Sequence, residues 1–153
     1  MIKKLWPLVL LLSVFVLTTC GPAPTRIEDL DTTEITLPGG KTIVAETMRR
    51  DDDIMRGMMF RDALAKDRGM LFVHPQEGKY AYWMYHCHIP LDMLWMDHDR
   101  RIVEISADTP PCTSEDSKDC PGYGGHETAK YVLELNAGAA AAYGLHAGDT
   151  LSF

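Results

Sequence analysis

The sequence contains, at Gly69-Met70-Leu71-Phe72-Val73, a compact apolar run bounded by Arg68 and by His74-Pro75. A short apolar run between such boundaries is typical of a buried β-strand. On either side of it, apolar or alternating segments recur with turn residues between them. They predict further strands at residues 34–37, 41–48, 79–84, 91–96, 101–107, 130–135 and 150–153.

Two short helices are predicted between these strands. Asp51, Asp52 and Asp53 precede the apolar residues 54–59, and acids favour the positive end of a helix dipole. Four consecutive alanines at residues 139–142 predict a second helix, which ends at Gly144. The sum is an α+β fold that is mainly β: a compact antiparallel sandwich or a partly open barrel with two short helices.

The first twenty residues are typical of an export signal. Lys3 and Lys4 precede an apolar run at residues 5–17, which ends in Leu17-Thr18-Thr19-Cys20. This order matches a secretory signal, and its last four residues look like a bacterial lipoprotein cleavage box. We therefore expect residues 1–19 to be a signal peptide and Cys20 to be lipid-modified. An ordinary cleaved signal and a membrane anchor are the alternatives.

The signal also predicts the domain organisation and the location. Residues 20–33 contain Pro22 and Pro24 and are expected to form the lipidated cysteine and a flexible tether. Residues 34–153 are long enough for a single globular domain. The expected location is the cell envelope outside the cytoplasm, on the periplasmic or outer-membrane side in a diderm. The lipid bilayer would then be a partner through acylated Cys20.

Composition narrows the classes of function. The formal net charge is −7, and removal of Lys3 and Lys4 makes the chain still more acidic. A nucleic-acid-binding protein presents a basic face, so no nucleic-acid partner is expected. Hydrophobic residues make up 46% of the chain, which is ample for a packed core.

Three cysteines remain after Cys20. Cys112 and Cys120 lie in a polar segment flanked by prolines, which predicts a loop closed by a local disulfide in an oxidising compartment. A zinc site is the alternative, but it would need shorter spacing and a second pair of ligands. Cys87 is left as an unpaired thiol.

The segment from Tyr80 to Asp92 is the densest group of functional side chains. If it is extended throughout, neighbouring residues point to opposite faces. Ala81, Trp83, Tyr85, Cys87 and Ile89 would then share an apolar inner face. Tyr82, Met84, His86 and His88 would share the outer face.

That arrangement opens a metal-binding alternative. His86, His88 and Met84 on one face would suit copper or zinc, with a thioether favouring Cu(I). A third ligand would come from Asp92, His98, His126 or His74, and the spacing does not choose among them. The competing interpretation is that both histidines are hydrogen-bonded polar positions on a half-exposed strand, with no cofactor.

An envelope enzyme is the other alternative. Asp92 or a Cys87 thiolate would be its first candidate residue. The chain contains neither a Gly-x-Ser-x-Gly elbow nor a phosphate-binding loop. Its other candidate acids are Asp97, Glu104, Glu134 and Asp149.

Five motifs in order carry a resemblance to a known family. They are residues 56–61 (RGMMFR), 69–72 (GMLF), 83–84 (WM), 89–92 (IPLD) and 131–138 (YVLELNAG). Together they resemble domain of unknown function 192, a small prokaryotic family whose members are often exported. The resemblance implies a compact, mainly β domain and often a Pro-Cys…Cys-Pro loop, but no established activity.

The resemblance also bears on the candidate site. Most members have Trp-Met-Lys-Asn-Thr where this chain has Trp83-Met84-Tyr85-His86-Cys87. A site shared across the family would therefore centre on Met84, Pro90 and Asp92, with Arg56 and Arg61 nearby.

Taken together, the sequence favours a non-catalytic envelope domain that binds an unknown partner protein or a small ligand. The candidate ligand-binding residues are Met84, His86, His88, Pro90, Asp92, Arg56 and Arg61.

Overall fold

The computed structural model describes residues 31–153. The predicted signal peptide, the predicted lipidation site Cys20 and most of the predicted tether lie outside the described residues. Within residues 31–153, no helix is long and apolar enough to cross a membrane.

Strands account for most of the regular structure. Eight strands and two short helices follow one another, with a 3₁₀ turn at Ser117–Asp119 before the seventh strand. In chain order they are β1 (Thr32–Thr36), β2 (Thr42–Met48), α1 (Asp51–Arg56), β3 (Arg68–Gly78), β4 (Tyr82–Trp83), β5 (Leu91–Met96), β6 (Ile102–Thr109), β7 (Gly122–Tyr123), β8 (Ala129–Asn136) and α2 (Ala139–Ala142). The predicted mainly β fold with two short helices is confirmed.

Six strands form one sheet in the order β1-β2-β3-β8-β5-β6. Its pairs are antiparallel except for β2 and β3, which run parallel on either side of α1, so the sheet is mixed rather than wholly antiparallel. The sheet is open, with β1 and β6 at its edges. A second sheet of β4 and β7 has only two strands.

The C-terminal residues bridge the two ends of the large sheet. Thr36 at the end of β1 pairs with Ser152, and Arg101 just before β6 pairs with Thr150. These are isolated bridges, so residues 150–153 do not form the predicted strand. They make one bridge at the β1 edge of the sheet and one at the β6 edge.

Both faces of the large sheet are buried. The strand β8 shows this best, because Leu133 and Leu135 enter one core while Val132 enters the other. The first core includes Ile35, Ile43, Leu71 and Leu94 and is covered by α2 and the C-terminal residues. The second core includes Met70, Phe72, Met93 and Trp95 and is covered by residues 54–58 and by β4 and β7.

Candidate functional site

A cleft of about 260 Å³ opens over the second core. One wall is the end of α1 with the turn that follows it, and the other wall is the segment from Tyr80 to Cys87. Met55 and Trp83 are 63% and 36% exposed, although both are large apolar residues. Exposed apolar side chains around a concave surface are typical of a binding site.

Glu134 lines this cleft from β8 and is 4% exposed. Within residues 31–153 its Oε2 atom has no hydrogen-bond partner and no contact with solvent. Burial raises the pKa of this carboxyl to about 8, and the nearby Arg61 opposes the rise. Buried polar atoms are almost always hydrogen-bonded, so this carboxyl indicates a function other than stability.

The positive charge of Arg61 acts on Glu134, but Arg61 is already paired with another acid. Its two terminal nitrogens donate to the two carboxylate oxygens of Glu46, both at 2.6 Å. This bidentate geometry is the strongest form of an ion pair between these residue types. Arg61 therefore acts on Glu134 through its charge, without a hydrogen bond.

The deep wall of the cleft is aromatic and neutral. The Tyr82 hydroxyl lies 3.0 Å from His74 Nε2, and the Tyr80 ring stacks on the His74 ring with centroids 3.5 Å apart. Burial lowers the pKa of His74 to about 4, with a smaller effect from Lys130. His74 is therefore uncharged at neutral pH.

Cys87 also lines the cleft, as a free and buried thiol within the described chain. Burial and, to a smaller extent, the charge of Glu134 raise its pKa to about 12. Nucleophilic cysteines need a lowered pKa, so this thiol is poorly suited to catalysis. Its predicted place in the core is confirmed.

The predicted alternation of residues 80–92 is wrong from its start, because the two faces are exchanged: Ala81 and Trp83 are exposed, whereas Tyr82 packs against the second core. The alternation then ends at Met84. Met84 is fully buried, whereas Trp83 and Tyr85 point outward or lie half-buried. The Met84 carbonyl accepts hydrogen bonds from the amides of Cys87 and Cys112, at 3.2 and 3.0 Å. This turn ends the strand, and Met84 and Cys87 enter the same core.

The two histidines lie on the outer side of that turn, beside Phe60. His86 has a positive φ of 54° and stacks on Phe60, with ring centroids 4.8 Å apart. His88 Nδ1 lies 2.6 Å from Asp62 Oδ1. Met84 lies in the core instead of beside them, and residues 31–153 contain no group of three His, Cys, Asp or Glu side chains arranged to hold a metal.

The loop from Cys112 to Cys120 is closed by the predicted disulfide, with an S–S distance of 2.05 Å. The loop is joined to the cleft wall, because Cys112 forms a bridge with Tyr85 and the Tyr85 hydroxyl donates to the Glu115 carbonyl at 3.2 Å.

Comparisons with known proteins assign the family of the chain and show two similar folds. The family model named DUF192, described as an uncharacterized ACR, matches residues 34–153. The chain belongs to this family. No curated protein matches it.

Two crystal structures have a similar fold to this DUF192 chain. One is a protein from Sinorhizobium meliloti 1021 that is proposed to be a transcription regulator; it is 30% identical, has a TM-score of 0.69, and the match covers 80% of this chain and 94% of that one. The other is a protein of unknown function from Novosphingobium aromaticivorans DSM 12444, with 27% identity, the same TM-score, and coverage of 88% and 94%.

The residues of the DUF192 motifs are divided between two places. Arg56 lines the cleft on its exposed rim, and Arg61 lies near its floor. Asp92, in contrast, is fully buried outside the cleft lining and accepts hydrogen bonds from the amides of Asp108, Gly138 and Ala140, at 2.7–3.1 Å. Pro90 is exposed and its carbonyl accepts from the Ala137 amide, so these two positions hold the turn before α2.

Sequence reasoning named Glu134 only among the candidate acids of an enzyme and did not place it among the ligand-binding residues. The signal was present in residues 131–138 of the DUF192 motif, where an acid stands between Leu133 and Leu135 on a strand with two buried faces. An ionisable residue flanked by core positions on both sides is a candidate for a perturbed pKa.

Proposed function

We propose that this DUF192 chain is a non-catalytic, ligand-binding domain of an envelope lipoprotein, and that its ligand is a small organic molecule held in the cleft. The observation that carries the proposal is the Glu134 carboxyl, unpaired within the described residues, at a mostly apolar cleft. Binding sites for small molecules are concave, mostly apolar, and contain a few polar groups that set orientation.

The cleft favours a small ligand over a partner protein. At about 260 Å³ it is a little below the range of roughly 300–1,000 Å³ for drug-sized ligands, and a stable protein interface is instead broad. A catalytic role has less support. The raised pKa of Cys87 keeps its thiol protonated, and the Asp92 carboxylate already accepts hydrogen bonds from three backbone amides.

The envelope location rests on residues 1–20 and has indirect support from the Cys112–Cys120 disulfide, since disulfides persist in oxidising compartments. Metabolic labelling with a fatty-acid analogue tests it. The full chain should take up the label and Cys20→Ala should not; equal labelling of both would contradict lipidation at this cysteine.

Binding in the cleft is tested with 2-phenylethanol as a neutral probe. NMR of the full chain in nonionic detergent should show shifts confined to the cleft-lining residues. Ala81→Trp should abolish them, because Ala81 is an exposed residue of the cleft wall. Ala107→Trp is the matched control, because Ala107 is an exposed position of β6, and it should bind the probe normally. Equal binding of the probe by both variants, or chemical-shift changes dispersed over the domain, would contradict the proposal.

A further inference from the structure

Three charged side chains interact around the cleft floor, two acids and one base, and of these only Glu134 lines the cleft. Glu46 and Arg61 neutralise each other through their two hydrogen bonds. Glu134 is the third charged group of this set, and nothing within the described residues donates a hydrogen bond to its Oε2. An isolated carboxylate is costly to bury, so the empty cleft favours the protonated acid.

The walls above Glu134 suit a positive charge. Five Phe, Tyr and Trp side chains line the cleft, and aromatic rings attract cations: Phe72, Tyr80, Tyr82, Trp83 and Tyr85. Met55 and Met58 add polarizable thioethers on the opposite wall. A ligand cation would therefore meet aromatic side chains on entering and a carboxyl at the floor.

The other titratable groups near Glu134 do not supply a competing positive charge at the floor. His74 is neutral above a pKa of about 4, and the Cys87 thiol is neutral below about 12. Burial also raises the pKa of Tyr82, which keeps its hydroxyl protonated. The remaining cation of the lining is Arg56, which is exposed at the rim.

We propose that the cleft binds a small organic ammonium ion, whose nitrogen pairs with the Glu134 carboxylate while its apolar body contacts the aromatic walls. This inference rests on the proposed function, because it names the class of the ligand. Binding is coupled to protonation: the Glu134 proton leaves for solvent as the ammonium nitrogen enters, so no charge remains uncompensated at the floor.

The coupling predicts a pH dependence with a defined sign. Below a pKa of about 8 the empty cleft must release a proton before it pairs with the cation. Affinity for an amine should therefore fall by up to about tenfold for each pH unit below that value. A neutral molecule with the same body has no such dependence, because it leaves Glu134 protonated.

Isothermal titration calorimetry of the full chain in nonionic detergent tests this with three probes of similar body: 2-phenylethylamine, 2-phenylethanol and 3-phenylpropanoate. Empty micelles give the partition correction. At pH 8 the amine should bind at least about tenfold more tightly than the alcohol, as expected for a desolvated ion pair with aromatic contacts. The amine preference should decline from pH 8 to pH 6.

Glu134→Gln should reduce the preference for the amine to within about twofold, since the amide keeps the shape and loses the charge. Glu104→Gln is the matched control, because Glu104 lies outside the cleft lining and binds His126. If Glu134→Gln does not fold, the pH series on the unmodified chain decides instead.

The outcomes separate the two proposals. Equal affinity for amine and alcohol, or an amine preference that survives Glu134→Gln, overturns the ammonium assignment and leaves a small-ligand site standing. Tighter binding of 3-phenylpropanoate also overturns it and points to Arg56. Failure of all three probes to bind contradicts the ligand-binding function itself.

Discussion

Arg61 binds Glu46 through two hydrogen bonds of 2.6 Å, and this pairing leaves Arg61 to act on the adjacent Glu134 only through its charge. Burial consequently dominates at Glu134 and raises its pKa to about 8. The ion pair is itself half-shielded, since the Arg61 and Glu46 side chains are 33% and 15% exposed. The protonation state of Glu134 therefore depends on whether Arg61 pairs with Glu46 or with Glu134.

The free energy of unfolding should fall as pH rises from 6.5 to 8. The folded state keeps the Glu134 proton up to a pKa of about 8, whereas the unfolded chain releases it near 4.5, so the unfolded state binds fewer protons in this range. The slope from this one group is at most about 1.4 kcal/mol per pH unit. Below pH 6.5 His74 opposes it, because its pKa is lowered to about 4.

Urea denaturation at several pH values measures this slope. Glu134→Gln should flatten it, and the difference between the two chains separates Glu134 from His98, whose pKa is raised by its hydrogen bond to Glu77. Identical slopes for both chains would show that Glu134 is ionised in the folded protein.

Glu46→Gln should lower the pKa of Glu134. The substitution removes the charge that binds Arg61 and frees the guanidinium to pair with the remaining carboxyl. The fall in stability should still begin near the unfolded pKa of 4.5 but should end at a lower pH and be smaller in total, because the folded pKa moves toward the unfolded one. The same denaturation series detects the shift, and an unchanged profile would mean that Arg61 does not reach Glu134.

Asp92→Asn should destabilise the fold by about 3 kcal/mol without changing binding in the cleft. The buried carboxylate accepts from three backbone amides, and an Asn amide nitrogen would replace one acceptor with a donor. Asp108→Asn is the control, because only the backbone amide of Asp108 takes part. Urea denaturation measures the loss; lost binding with unchanged stability would return Asp92 to the candidate site.

The strands of the large sheet were predictable because their apolar patterns are local. The strand predicted at residues 91–96 matches β5, and α2 matches the run of alanines. The turn at Met84 was not predictable, since the Met84 carbonyl accepts a hydrogen bond from the backbone amide of Cys112, which is distant in the chain. Periodicity predicts that side chains alternate, but which face is buried and where the strand ends depend on residues distant in the chain.

Glu134 shows the same limit for the site. Its strand and its neighbours could be read from sequence, but not the commitment of Arg61 to Glu46, which joins residues 15 apart in the chain. Whether a buried acid is paired depends on contacts between β2, β8 and the turn after α1. The position of such an acid is therefore visible in sequence, whereas its electrostatic state is not.

Reduction of the Cys112–Cys120 disulfide should lower the free energy of unfolding by about 2–3 kcal/mol, the value expected for a loop of this length. The cleft wall should loosen as well, because the loop is joined to Tyr85. Urea denaturation with and without reductant measures the change. The effect should persist in Cys87→Ala and vanish in the Cys112→Ser/Cys120→Ser double variant; an effect in that variant would point to another cause.

Gly124→Ala should destabilise the domain by about 2–4 kcal/mol, since it combines overpacking with a left-handed backbone. Gly124 has a φ of +64°, and an added Cβ would overlap the Trp95 ring at Cζ2. Trp95 cannot easily yield, because it is fully buried and its Nε1 donates to the Tyr80 carbonyl at 2.7 Å. The strain would reach the cleft through Tyr80, which lines it.

Gly39→Ala provides the matched control for Gly124→Ala. Gly39 has a φ of +90°, but an added Cβ would meet no atom within 4 Å. Its cost should be the backbone strain alone, about 1–2 kcal/mol. Thermal and urea denaturation of both variants measure the difference. Because the backbone penalty is common to both, any excess at Gly124 reports the contact with Trp95, and equal losses would mean that the indole moves aside freely.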